Sequence, residues 1–167
     1  VSAGAEEIQR IINRAAQMKG QRPVVHFPYG TYKLNTTINI PAGTDMQLVG
    51  DGLRYSTTLV CAAGFQGSAL FNVSGPSYIE IRDMQLGTAS PHRNYTAVVF
   101  SNVDQKGSMV HLDQLYSNSK TSLFVDRINY TYFEKNNSFY STGNVITGGD
   151  LQKAGRGTTM VNCFGGQ

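Results

Sequence analysis

Two short segments carry side chains whose types and spacing could do chemistry. Ile79-Glu-Ile-Arg-Asp-Met-Gln-Leu86 and, about thirty residues later, Val110-His-Leu-Asp-Gln-Leu-Tyr116 alternate apolar and polar positions as strands do. Successive strand residues face opposite sides, which places Glu80 and Arg82 outward on the first segment and His111 and Asp113 outward on the second. If the two strands stack, they lie about 5 Å apart and the four side chains share one polar surface. Two carboxylates with an imidazole can hand a proton to or from a ligand, and a guanidinium can hold an anionic group, so these four are the candidate catalytic residues. The same residues also suit plain solvent-facing strands, where opposite charges pair across neighbours. Spacing leaves both readings open.

The elements that would position them are one helix and many strands. Ile8, Ile11, Ile12, Ala15, Ala16 and Met18 recur at helical spacing, with Glu6, Arg10, Asn13 and Lys19 on the other face. Ser2 is placed to cap that helix and Gly20 to end it. From Pro23 onward the chain reads as short strands separated by Gly, Pro, Asn or Asp, from Val24–Phe27 through Tyr78–Arg82 to Thr159–Phe164. Tight two-residue hairpin signals are scarce, with no Asn-Gly and one Asp-Gly at Asp51-Gly52, which disfavours an antiparallel sandwich. A recurring polar bend residue, Asp83, then Gln114, then Asn136 or Asn137, suits stacked coils. The expected fold is therefore all-β: a right-handed single-stranded parallel β-helix, residues 21–167, with an N-terminal amphipathic capping helix in residues 1–20.

Composition narrows the rest. Charged residues make up 15% and aromatics 10%, which excludes a disordered chain. The net charge of +3 is spread out, so no basic arm points to nucleic acid, and no apolar run is long enough for membrane insertion. Cys61 and Cys163 sit among apolar residues without zinc or redox spacing, and read as buried thiols with neither metal nor disulfide. Asn35, Asn72, Asn94, Asn129 and Asn136 all open N-x-Ser/Thr triplets, against roughly two expected by chance, which makes them candidate glycosylation positions and leans toward an extracellular protein.

Several stretches carry a resemblance. Glu7-Ile-Gln-Arg-Ile-Ile-Asn-Arg-Ala-Ala16, Val24-Val-His-Phe-Pro-Tyr-Gly-Thr-Tyr32, Ile38-Asn-Ile-Pro41 and Leu48-Val-Gly-Asp-Gly52 resemble the N-terminal region of pectin lyase-like right-handed parallel β-helix proteins, a group holding pectate lyases, polygalacturonase-like glycosidases and phage tailspikes. The resemblance implies a secreted, extracellular or virion-surface protein that binds or degrades a polysaccharide along its coils. A lyase-like activity would imply calcium, held by aspartates beside a proton-abstracting arginine or lysine. A hydrolase would imply clustered aspartates in Asn-x-Asp or Asp-Asp pairs, and the expectation is that these motifs are absent. His92-Arg93 after Pro91 and the outward Glu134 are candidates to touch such a polysaccharide. Tyr132, within the run Tyr130, Tyr132, Phe133, Phe139 and Tyr140, could stack on a sugar ring, although members of that run also suit the interior. His26 and the motif turns around it read as structural.

The alternative is a non-catalytic module, a fibre, tailspike segment or filament subunit that associates end to end with its own copies. The 167 residues hold a cap and about five or six coils without a closing helix, and they begin with Val1, so the expectation is an open-ended piece of a longer or stacked assembly. The coil geometry generates one test. Cys61 and Cys163 would stand roughly 20 Å apart, beyond the reach of a disulfide. Non-reducing peptide mapping is expected to find no Cys61–Cys163 bond, and an intact one would remove the β-helix.

Overall fold

A computed structural model describes residues 4–52, 56–88, 95–102, 109–119, 121–125, 131–133, 138–141, 146–148, 159–160 and 164–166. It opens with helix α1 (Ala5–Ala16), followed by β1 (Val24–Phe27), β2 (Gly30–Ile40), β3 (Asp45–Gly50), β4 (Thr57–Ser74) and β5 (Tyr78–Thr88). Then come β6 (Thr96–Ser101), β7 (Met109–Ser119), β8 (Thr121–Val125), β9 (Thr131–Phe133), β10 (Ser138–Ser141), β11 (Ile146–Gly148), β12 (Thr159–Met160) and β13 (Phe164–Gly166). Among the described residues no helix is long and apolar enough to cross a membrane.

Among the described residues every strand pairing is parallel, and the pairings form three ladders. The first stacks β1, β3, β5, β7, β9 and β12. A second runs through the start of β2 and β4, the ends of β5 and β7, then β10 and β13. The third takes the ends of β2 and β4, then β6, β8 and β11. A chain that returns to the same ladder once per coil, always in the same direction, is a parallel β-helix. Several strands expected as separate pieces are continuous: β2 and β4 bend from one ladder into the next, with β2 slipping register around Thr36. Of the expected strand Thr159–Phe164, Thr159–Met160 lies on the first ladder in β12 and Phe164 on the second in β13, and residues 161–163 lie outside the described residues.

Inward positions form columns of like residues. Met46, Ile79 and Val110 stack in register, as do Leu48, Ile81 and Leu112, and Ile38, Phe71 and Val98, all buried. Each such side chain contributes about 1.5–3 kcal/mol by leaving water. Cys61 lies in this interior, and burial pushes its thiol up to about 12, which keeps it protonated and inert. Cys163 lies outside the described residues.

The coils turn at two kinds of position. Asp83 and Gln114 occupy equivalent places between β-ladder residues on adjacent coils and both adopt the left-handed region, at φ 57 and φ 48. That matches the expected polar bends; Asn136 and Asn137 lie outside the described residues. The Asp83 carboxylate accepts a hydrogen bond from Arg82, its chain neighbour. One coil earlier the bend is set by close approach: a Cβ at Gly50 would stand 2.3 Å from the Asp83 carbonyl oxygen and 2.9 Å from the Cβ atoms of Met84 and Thr57.

Helix α1 lies mainly against β2 and buries Ala5, Ile8, Ile12 and Ala15. Ile11 and Met18, expected on that face, are 39% and 38% exposed, and Met18 lies beyond the end of the helix. The helix starts after Gly4, whose extended backbone occupies the cap position in place of the expected Ser2. Gln9 adds a feature that hydropathy could not reveal. Its Nε2 donates to the Asn39 carbonyl at 2.8 Å, while its Oε1 accepts the Asn39 N–H at 2.7 Å. The side-chain amide thus pairs with β2 as a neighbouring strand would.

Because the atom facing Gly50 is backbone, it cannot swing aside. Gly50→Ala is expected to cost about 1–3 kcal/mol, read as a lower urea midpoint with an unchanged slope.

Candidate functional site

The outer face of the first ladder brings the four candidate catalytic residues together. Glu80 is the register partner of His111, and Arg82 that of Asp113. Gln47 lies one coil before Glu80, and Tyr132 one coil after His111, so Gln47, Glu80, His111 and Tyr132 form a row along the stack. Parallel in-register pairing is the cause, since it repeats the inward-outward alternation on each coil.

Glu80 is the centre of the group. Its Oε1 lies 3.0 Å from Arg82 Nε and 3.8 Å from His111 Nδ1, and its Oε2 lies 3.1 Å from Arg22 Nη2. The Glu80 side chain is only 15% exposed, so its charge depends on these partners. Arg22 also reaches Asp45 at 3.3 Å, and its guanidinium carbon stands 4.2 Å from the Tyr78 ring centroid. Sequence reasoning missed Arg22. It precedes β1 in a connection with φ 44, lies 58 residues from Glu80, and matches no motif.

This arrangement orients guanidiniums and an imidazole around one carboxylate. Both Glu80 oxygens face cations, which suits holding Arg22 and Arg82 in place better than taking up a substrate proton. Arg22 and Arg82 stand among the carboxylates of Asp45, Glu80, Asp83 and Asp113, so the face is not a concentrated anion receptor. Among the described residues no group of three or more carboxylate, imidazole or thiol side chains converges as calcium requires. The lyase-like calcium expectation finds no ligand set in these residues.

His92, Arg93 and Glu134 lie outside the described residues, as do Asn94, Asn129 and Asn136. Tyr132 is described through its strand register. Asn35 is exposed beside the bend of β2, whereas Asn72 Nδ2 donates to Asn39 Oδ1 at 3.3 Å on the third ladder. One Asn-x-Asp triplet does occur, contrary to expectation: Asn102-Val103-Asp104 begins at the exposed Asn102 with φ 54, and Val103 and Asp104 lie outside the described residues.

A second polar cluster joins two sequence motifs. His26 Nε2 lies 2.6 Å from Asp51 Oδ1, and the Tyr29 N–H donates to Asp51 Oδ2 at 2.8 Å. Because an ionised carboxylate only accepts, the His26 Nε2 carries the proton. Asp51 thereby ties the Phe27-to-Tyr32 turn to the turn after β3, which agrees with a structural His26. Beside it, Ile8, Ile11, Val25, Phe27, Pro28 and Tyr32 line a cleft of about 230 Å3 under α1.

A model of the family described as rhamnogalacturonase A/epimerase, pectate lyase-like, matches residues 3–164. No curated protein and no solved structure matches the chain.

The Asp51 contacts predict a pH effect. The hydrogen bond from His26, then that from the Tyr29 amide, hold its carboxyl below the usual carboxylate range. A folded-state value below the unfolded one stabilises the fold above about pH 4 and ceases to do so as pH falls through the folded value. Between pH 7 and pH 3 the parent chain is expected to lose more stability than Asp51→Asn, compared by urea unfolding at both pH values.

Proposed function

The chain belongs to the rhamnogalacturonase A/epimerase, pectate lyase-like family, and we propose that it is an extracellular domain that binds a pectic polysaccharide along the outer face of its first ladder. Membership makes it a carbohydrate-active β-helix domain, and the match from residue 3 to residue 164 is the observation that carries this reading. The row Gln47, Glu80, His111 and Tyr132 supports the choice of face. A glycan chain lying along the stack would meet Gln47, Glu80 and His111, one polar group per coil, about 5 Å apart, which is close to the length of a sugar unit.

Within that reading, Glu80 is a positioning residue. It holds Arg82 and Arg22 against the ladder, and the imidazole of His111, its register partner on the next coil and 3.8 Å from Oε1, is the group offered to a ligand hydroxyl. Asp113, on the adjacent outward column, completes the polar surface.

A second reading, a non-catalytic structural or adhesive module, is favoured by the engagement of both Glu80 oxygens in ion pairs. A fixed ionic ladder needs such pairing, whereas an acid or base needs a carboxyl open to substrate.

The two separate by measurement. Homogalacturonan and rhamnogalacturonan fragments are expected to bind the purified chain in titration calorimetry, and His111→Ala to weaken binding about tenfold, the loss of one hydrogen bond. Ultraviolet absorbance would report elimination, and new reducing ends would report hydrolysis. Concentration-dependent assembly without binding or turnover would instead establish the structural module.

A further inference from the structure

We infer that Asn35 is the attachment position of an N-linked oligosaccharide whose first sugar seats in the groove between α1 and β2. This rests on the extracellular placement proposed above. Asn35-Thr36-Thr37 is one of five such triplets, and the fold treats it differently from the other described one. Asn35 is exposed at the bend of β2, where register slips between Leu34 and Thr36, so a bulky substituent there interrupts no regular stretch of ladder. An open groove of about 410 Å3 adjoins it, lined by Gly4, Ala5, Glu6, Lys33 and Asn35. The Glu6 carboxylate and Lys33 ammonium are both exposed and offer an acceptor and donors to sugar hydroxyls.

Asn72 differs in each respect. Its backbone is in register with Asn39 on one side and Val99 on the other, and its Nδ2, the atom a glycan would take, donates to Asn39 Oδ1. A glycan placed on that atom before folding would crowd strands spaced about 5 Å apart, so chains that carry one there fail to close the coil and are not secreted.

The hydroxyl that completes the acceptor triplet fixes when transfer occurs. Thr37 is buried, and its Oγ1 donates to the Ala69 carbonyl at 2.7 Å once β4 lies on β2. Transfer therefore precedes closure of that coil, on the emerging chain. The Asn35 Nδ2 forms a bond to the anomeric carbon of a lipid-pyrophosphate-linked oligosaccharide, and the carbon–oxygen bond to pyrophosphate breaks. One amide proton is lost and the lipid pyrophosphate departs, with no change of oxidation state.

The test is expression of the full chain behind a secretory leader in a eukaryotic host, with glycopeptide mapping after enzymatic release that leaves Asp at each occupied Asn. The expected result is conversion at Asn35 in most secreted molecules, none at Asn72, and loss of one mobility step in Asn35→Gln. An unconverted Asn35, whether or not other triplets are converted, overturns the site. The mapping uses the parent chain, so it decides the matter even if Asn35→Gln is not secreted. Because the leader imposes the route, failure at Asn35 leaves the extracellular placement standing; that placement is tested by locating the native protein.

Discussion

Each coil of a parallel β-helix satisfies its backbone by hydrogen bonding to the coil before and the coil after it. The first coil has a neighbour on one side, so the stack needs something at its start that is neither strand nor open water. Helix α1 supplies apolar cover through Ile8 and Ile12, and Gln9 supplies two of the hydrogen bonds a preceding coil would make by meeting both backbone groups of Asn39. One element thus covers apolar surface and pairs backbone at Asn39, the two needs of an open strand edge.

The same stacking constraint governs the corners. Left-handed backbone at Asp83 and Gln114 recurs because a coil laid on another must turn where its neighbour turns. Gly50 is demanded from the opposite direction, by the Asp83 carbonyl pressing on it from the next coil. Asp51 then fixes this corner to the earlier turn through His26 and Tyr29. The motif residues are thus contacts between coils, which explains why they lie so far apart in the chain.

In-register repetition also makes the outer face of the first ladder a shared surface. Glu80, Arg82, His111 and Asp113 come together because their segments alternate in phase, and that was legible from the sequence. What they do with one another was not. The spacing could not show that Arg22 folds back from before β1 onto Glu80 and Asp45, so that both Glu80 oxygens face cations.

Local pattern, then, determined what is periodic: the amphipathic helix, the alternation of the strands, the polar bends and the interior columns. These follow from each residue's own preference for water or for the interior, which needs no knowledge of distant partners. Tertiary structure alone decided which strands run on through a bend, that Ile11 stays exposed, that Gln9 stands in for a strand and that Arg22 occupies Glu80. Each of those is settled by a contact between residues far apart in the chain, and a contact leaves no trace in local hydropathy when either partner could equally well face water.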